Sequence, residues 1–148
     1  MTGRERGVVL FGVFNVLLIA GCVMVQTGPK ALEKRVRAFW HARETGTYTF
    51  TYGGKQVDLY NAFLAEETRK QVTQQQYYGR INLKVTNPRI ERIEYHTDGK
   101  RATVAIRFDT TFQIAKLKNI RISETWIVEN GQWVLLDNPM HNPFRSGQ

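Results

Sequence analysis

The chain has 148 residues, enough for one domain of about 120 residues with an N-terminal segment and too few for two ordinary domains. Its 42% apolar, 23% charged and 11% aromatic content excludes a disordered chain. One cysteine excludes an internal disulfide framework and a cysteine-rich metal site, and the net charge of +8 makes the chain basic. These totals leave the biochemical activity open.

The N-terminal segment has the layout of an export signal. Arg4 and Arg6 precede a largely apolar run that begins at Val8 and ends in Leu-Ile-Ala-Gly-Cys at residues 18–22. This ending resembles the bacterial lipoprotein signal, in which aliphatic and small residues precede an invariant cysteine. The resemblance implies that residues 1–21 are a removed signal peptide. It also implies that Cys22 carries acyl chains such as palmitate, with residues 22–29 as lipidated cysteine and linker.

An uncleaved transmembrane helix is the alternative interpretation of the same segment. Val8–Val25 would be about 27 Å long at 1.5 Å per residue, close to the roughly 30 Å bilayer core. Arg4 and Arg6 would then hold the N-terminus in the cytoplasm. Both interpretations anchor the chain to a membrane of the bacterial cell envelope, with the domain on the periplasmic or extracytoplasmic side.

The domain is predicted to begin with helices. From Lys30 the apolar positions follow the spacing i, i+4, i+7, i+8, at Leu32, Val36, Phe39 and Trp40. This pattern predicts an amphipathic helix that ends before Gly46. A second helix is predicted from an N-cap at Asp58 to about Gln71. Thr73 opens a capping box, which predicts a short third helix.

After Gly79 the hydrophobic period changes to two, which predicts strands. Asp-Gly and Asn-Gly pairs at residues 98–99 and 130–131 predict hairpin turns, and Pro88 marks a bulge or an edge. Residues 47–52 could form a short strand or a loop. The main strands are expected at residues 83–96, 101–113, 119–128 and 132–137. Helices followed by an antiparallel meander make an α+β fold.

This order of elements resembles a known family. The Phe39-Trp40 helix, the turn and strand at residues 98–104, and the closing segment at residues 124–133 resemble the nuclear transport factor 2-like (SnoaL-like) domains. The resemblance implies a cone-shaped, cystatin-like fold over residues 30–138, in which helices pack on a curved sheet, with residues 139–148 as a tail. It also implies dimerisation through the open sheet face, and it says little about activity, because the fold serves both enzymes and binding modules.

Glu124 is the catalytic candidate. It lies in an apolar row of its predicted strand, made up of Ile120, Ile122, Trp126 and Val128. Burial there would raise the carboxyl pKa, as a general base requires. Alternatively, Glu124 lies at the sheet rim or pairs with Arg107 or Arg121. The family's catalytic Asp–Tyr pair has no counterpart that can be placed in this sequence.

The candidate ligand-binding residues are Glu124 together with Trp126, Tyr95, Tyr77 and Phe108. The resemblance implies that they line the pocket of the fold. Alternatively, the aromatic residues pack in the hydrophobic core. His41, His96 and His141 share no ligand spacing, so we expect no metal site and no cofactor.

Without residues 1–21 the charge remains +7, from 19 basic and 12 acidic residues spread along the chain. This favours anionic lipid or an acidic partner over nucleic acid, and alternatively the charge is that of a solvated basic surface. We therefore expect an envelope lipoprotein that binds a partner protein or small apolar ligand without catalysis. One alternative is an accessory subunit of a membrane complex, held by the uncleaved helix. Another is an isomerase or dehydratase that uses Glu124.

Overall fold

The computed structural model describes residues 27–137, and the candidate signal segment, Cys22, His141 and the C-terminal tail lie outside them. The described part of the chain is an α+β unit, as predicted. Its helices are α1 (Pro29–Thr45), α2 (Leu59–Phe63), α3 (Glu66–Gln71) and α4 (Gln74–Ile81). Its strands are β1 (Thr49–Tyr52), β2 (Lys55–Asp58), β3 (Val85–Tyr95), β4 (Arg101–Phe112), β5 (Ala115–Glu129) and β6 (Gln132–Leu136).

Helix α1 confirms the prediction from periodicity. Its four predicted face residues, Leu32, Val36, Phe39 and Trp40, are buried. Pro29 stands in the first turn, where a missing N–H costs nothing. Gly46 ends the helix in the left-handed conformation, with φ of 68°, and its N–H donates to the carbonyl of Ala42.

The predicted single helix from Asp58 to Gln71 is wrong, because the chain breaks between α2 and α3. Asp58 does cap α2, since its Oδ1 accepts a hydrogen bond of 3.0 Å from the Asn61 N–H. Leu64 then turns extended and bridges to Leu135 of β6, and the Ala65 N–H donates to the Leu135 carbonyl at 2.9 Å. Backbone bonding to the sheet replaces the helical bonds at this point.

Two smaller elements precede the main sheet. Strands β1 and β2 form a hairpin around Gly53 and Gly54, so residues 47–52 contain a strand, and its partner β2 was not predicted from the sequence. The capping box at Thr73 is confirmed by reciprocal hydrogen bonds with Gln76.

The main sheet is a four-stranded antiparallel meander in the order β3-β4-β5-β6. Asn130 and Gly131, with φ of 49° and 74°, form the predicted turn between β5 and β6. The register of β3 shifts between Thr86 and Arg89, which confirms the irregularity expected at Pro88. Strand β5 begins at Ala115, four residues earlier than predicted.

One face of this sheet forms the core together with the helices. The buried sheet residues are Ala102, Val104, Ile106, Phe108, Trp126, Trp133 and Leu135. They belong to the same core cluster as Phe39 of α1 and Phe63 of α2, whose rings lie 6.3 Å apart. The core is therefore rich in aromatic rings, and it surrounds the middle of β5.

Two glycines give a paired prediction for stability. Gly46→Ala places a Cβ in the left-handed region and should lower the free energy of unfolding by about 1 kcal/mol. Gly79→Ala lies inside α4 with ordinary φ and open space, and should raise it by roughly 0.5–1 kcal/mol. Urea unfolding measures both. Equal signs for the two substitutions would contradict the assigned backbone conformations.

Candidate functional site

Glu124 lies inside the aromatic core. It faces Val104 across the β4–β5 register and is only 8% exposed. Its Oε1 accepts a hydrogen bond of 3.1 Å from Nε1 of Trp40, and its Oε2 accepts one of 3.0 Å from Nε1 of Trp126. The carboxyl group therefore joins α1 to β5 through two indole N–H donors.

Burial raises the pKa of Glu124 to about 7, because a charged carboxylate loses its hydration there. The indole N–H donors of Trp126 and Trp40 lower this pKa, and so does the positive charge of Arg43, while Asp137 raises it further. The Arg43 guanidinium lies 4.5 Å from the centre of the Trp40 ring. Desolvation is the largest of these influences.

The alternative places for Glu124 are wrong. It does not lie at the sheet rim, and the candidate partner arginines belong to the opposite face. Nε of Arg107 lies 2.9 Å from one oxygen of Glu91, and Nε of Arg121 lies 2.5 Å from the other. Side chains alternate between the two faces of a strand, so Arg121 cannot share the face of Glu124.

Glu124 has a pKa suited to catalysis, but its oxygens are not accessible to a substrate. A carboxyl with a pKa near 7 is suited to proton transfer at neutral pH. A general base must also come within hydrogen-bond distance of the atom it deprotonates, and here both oxygens already accept from tryptophan. In this arrangement Glu124 satisfies two buried donors and fixes the packing of α1 on the sheet.

Two other candidate residues are buried in the same core, Trp126 in contact with this carboxyl and Phe108 in contact with Trp40. Trp126 is fully buried, and its ring meets Phe39 edge-on at 5.9 Å. Phe108 is buried against the Trp40 ring at 5.1 Å. The structure thus places Trp126 against Glu124 and Phe108 of β4 against the Trp40 ring, both as packed core residues.

The two candidate tyrosines lie in different places. Tyr77 of α4 is buried beside Tyr60 and Tyr78, and burial raises its pKa. Tyr95 is exposed at the end of β3, where its ring packs on Trp133 and its hydroxyl donates to the Pro29 carbonyl at 3.3 Å. Tyr95 therefore does not line a site with Glu124.

A surface cleft lies on the outer side of Trp40, between α1 and β3. Its volume is about 140 Å³. The lining residues are Val36, Arg37, Trp40, His41 and Glu44 of α1, Pro88, Arg89 and Ile90 of β3, and Ile106 of β4. Oε1 of Glu44 accepts a hydrogen bond of 3.1 Å from the Asn87 N–H, which ties α1 to β3 beside the cleft. Trp40 thus connects an accessible cleft to the buried carboxyl.

The roles of Trp40 and Arg35 were not predicted from the sequence. Trp40 was predicted only as a core position, and its link to Glu124 depends on a contact 84 residues apart in sequence. Arg35 was not singled out, although it is buried over the Phe63 ring at 4.2 Å and donates to the Ala62 carbonyl. Burial lowers the pKa of Arg35. A basic residue within a helical pattern carries no signal of such burial.

The described residues contain neither a metal-binding cluster nor a membrane-spanning helix. Within 27–137, no group of three or more His, Cys, Asp or Glu side chains could hold a metal ion. No helix in this same range is long and apolar enough to cross a bilayer. The candidate membrane segment at residues 8–25 lies outside this range.

Comparisons with known proteins give little. No protein-family model matches the chain, and no curated protein sequence matches it. A similar solved structure comes from work on the de novo design of proteins with diverse pocket structures. It is 14% identical, covers 70% of this chain and 97% of its own, and has a TM-score of 0.33. A likeness of this size carries no information on function.

Glu124 should make stability depend on pH. Its folded pKa of about 7 exceeds the ordinary 4.5, so its neutral form contributes stability below pH 4.5 that is lost as the pH rises through 7. The loss should reach about 3 kcal/mol, at 1.36 kcal/mol per pKa unit. Urea unfolding of the wild type and of Glu124→Gln, compared from below pH 4.5 to about pH 8, should isolate this loss. A constant difference across that range would contradict it.

Two tryptophans supply a matched control for this prediction. Trp126→Phe removes a donor to Glu124, so the pH at which stability is lost should rise further. Trp133→Phe removes a donor to the neutral carbonyl of Thr27 and should leave that pH unchanged. Equal shifts in the two variants would show that the indole N–H does not act on the carboxyl.

Proposed function

We propose that this chain is a bacterial envelope lipoprotein whose domain binds a partner protein without catalysis. The anchor rests on the Leu-Ile-Ala-Gly-Cys ending at residues 18–22 and on the two arginines before it. Acylation of Cys22 would hold the domain firmly, because several acyl chains bind a membrane far more strongly than one.

We further propose that residues 30–138 are a nuclear transport factor 2-like (SnoaL-like) domain. Support comes from the order of its elements, in which helices precede a four-stranded meander. The bulged first strand of that sheet and the aromatic core against α1 agree with the cone-shaped architecture. A fold of this kind leaves the activity to be decided by the site.

A binding role without catalysis is supported by one observation: both oxygens of Glu124 accept hydrogen bonds from buried indoles. An isomerase or dehydratase would need a substrate atom in contact with this carboxyl. The Glu124 pKa of about 7 favours the isomerase or dehydratase as a second candidate function. The hydrogen bonds from Trp40 and Trp126 oppose it, because a substrate would have to displace a buried donor.

The cleft beside Trp40 favours a protein partner over a small apolar ligand. Pockets for small molecules usually measure about 300–1,000 Å³, and this cleft measures about 140 Å³. Arg37 and Arg89 stand at its edge with Glu44, so its rim is charged while its base is apolar. An apolar centre inside a polar rim is typical of protein interfaces.

The anchor is tested by the mass of the N-terminus. Protein extracted from membranes should begin at Cys22 and carry the mass of its acyl chains, and Cys22→Ser should remain uncleaved and unacylated. An intact N-terminal peptide from Met1 in the wild type would contradict the lipoprotein proposal. That result would favour the alternative, an accessory subunit of a membrane complex held by its uncleaved helix.

The binding role is tested at the cleft. A photo-crosslinking amino acid at Arg37, an exposed position on the rim, should give one discrete adduct with an envelope protein in intact membranes. The matched position is Lys55, exposed in the β1–β2 hairpin away from the cleft lining. No adduct at Arg37, or the same adducts at both positions, would contradict partner binding at the cleft.

A further inference from the structure

The β4–β5 hairpin ends in exposed apolar side chains that the proposed function does not use. We call residues 111–118 the hairpin tip. Strand β3 pairs with β4 only as far as the Val85–Thr110 register, so the tip extends beyond β3. In the tip, Ile114 is 97% exposed, Phe112 59% and Leu117 40%.

The tip has an apolar face, a basic face and an apolar turn. Phe112 pairs with Ala115, and Leu117 pairs with Thr110, whose side chain is buried on the core face. Residues paired across an antiparallel ladder share a face, so Phe112 and Leu117 continue the core face outward. Lys116 therefore lies on the opposite face, and Ile114 stands at the turn between the two strands.

The charged residues of the tip are positive. Lys116 and Lys118 are both exposed. The nearest carboxylate along the strands, Asp109, already accepts hydrogen bonds from the Asn119 N–H at 2.8 Å and from Nδ2 of Asn87 at 3.2 Å. These bonds lower the pKa of Asp109 and keep it ionised, yet the tip still carries more positive than negative charge.

We propose that the hairpin tip inserts into the interface of a membrane that contains anionic lipid. Three side chains around a two-residue turn offer far less area than the roughly 800 Å² per partner that a stable protein interface buries. A bilayer interface needs no matching surface, accepts Phe, Ile and Leu, and attracts lysines when its headgroups are anionic. Exposed apolar patches of this kind mark contact sites.

The tip lies at the far end of the sheet from Thr27 and Pro29, which follow the proposed anchor residue in the sequence. The first described residues are bonded to one end of the sheet. The Thr27 carbonyl accepts a hydrogen bond from the Trp133 indole, and the Pro29 carbonyl accepts one from the Tyr95 hydroxyl. Strand β4 runs from the Tyr95 end to Phe112, about 36 Å at 3.3 Å per residue. Two contacts at opposite ends would lay the sheet along the membrane. This orientation rests on the proposed anchor.

Quenching of tryptophan fluorescence by lipids with brominated acyl chains tests the tip. The full-length protein is reconstituted in phosphatidylcholine vesicles with and without phosphatidylglycerol. Ile114→Trp adds an indole at the tip, and Lys55→Trp adds one in the β1–β2 hairpin as the matched control. We expect the indole at position 114 to lose most of its added emission in anionic vesicles. We expect a much smaller loss at position 55.

The lysines should set the lipid preference. Lys116→Glu with Lys118→Glu, in the Ile114→Trp background, should abolish the excess quenching in anionic vesicles. Equal quenching at positions 114 and 55 would overturn the proposal. Concentration-dependent self-association that is lost in Ile114→Asp would also overturn it, in favour of a second copy of the chain.

The tip and the anchor can fail separately. The N-terminal mass of the same sample reports whether Cys22 is acylated, and flotation with the vesicles reports whether the chain is anchored. Quenching at position 114 reports the tip in either case, because an unanchored chain mixed with anionic vesicles would still insert it. Flotation without quenching at position 114 would therefore contradict insertion of the tip and leave the proposed anchor unaffected.

Discussion

The hydrogen bonds from two indoles to one buried carboxyl organise this domain. Glu124 joins Trp40 on the first helix to Trp126 on its own strand, in a core where an unpaired polar group would be costly. The constraint is mutual. The carboxyl satisfies both buried N–H donors, and the donors partly compensate for its lost hydration. The position of α1 on the sheet depends on this arrangement, and so does the cleft on the other side of Trp40.

Because packed side chains enclose Glu124, the binding function that we propose uses the surface of the domain. Packed aromatic rings fill the space between the helices and the sheet, so Glu124, the buried carboxyl among residues 27–137, offers a substrate no contact. Two accessible features of the described residues are the cleft between α1 and β3 and the hairpin tip around Ile114. The cleft has charged walls on an apolar base, and the tip has apolar side chains beside lysines. The tethered binding module that we propose would need such surfaces, because a membrane and a partner protein are both larger than a small-molecule pocket.

Much of the fold was predictable from local patterns. The face of α1, its end at Gly46 and the Asn130-Gly131 turn follow from periodicity and backbone preference, which act within a few residues. The break between α2 and α3 was not, because Leu64 leaves the helix to bond with Leu135, a distant residue in the sequence.

The candidate site was predictable only in part. The alternation of β5 placed Glu124 in an apolar row, and the structure buries it there. Its two donors could not be predicted, because no local signal gives the position of Trp40 over the sheet. The exposure of Ile114 was hidden for a related reason. The sequence does not show that β3 ends opposite Thr110, and only this end leaves the tip that carries Ile114 without a neighbouring strand.

The closed state of Glu124 is tested most directly by carbon-13 NMR titration of its side-chain carboxyl, with the indole N–H signals of Trp40 and Trp126 followed in the same samples. The account predicts a midpoint near pH 7, shared by both indole signals, because all three groups belong to one buried arrangement. A midpoint near the ordinary 4.5 with unmoved indole signals would contradict it. That result would place the carboxyl in contact with water and reopen the site to a substrate.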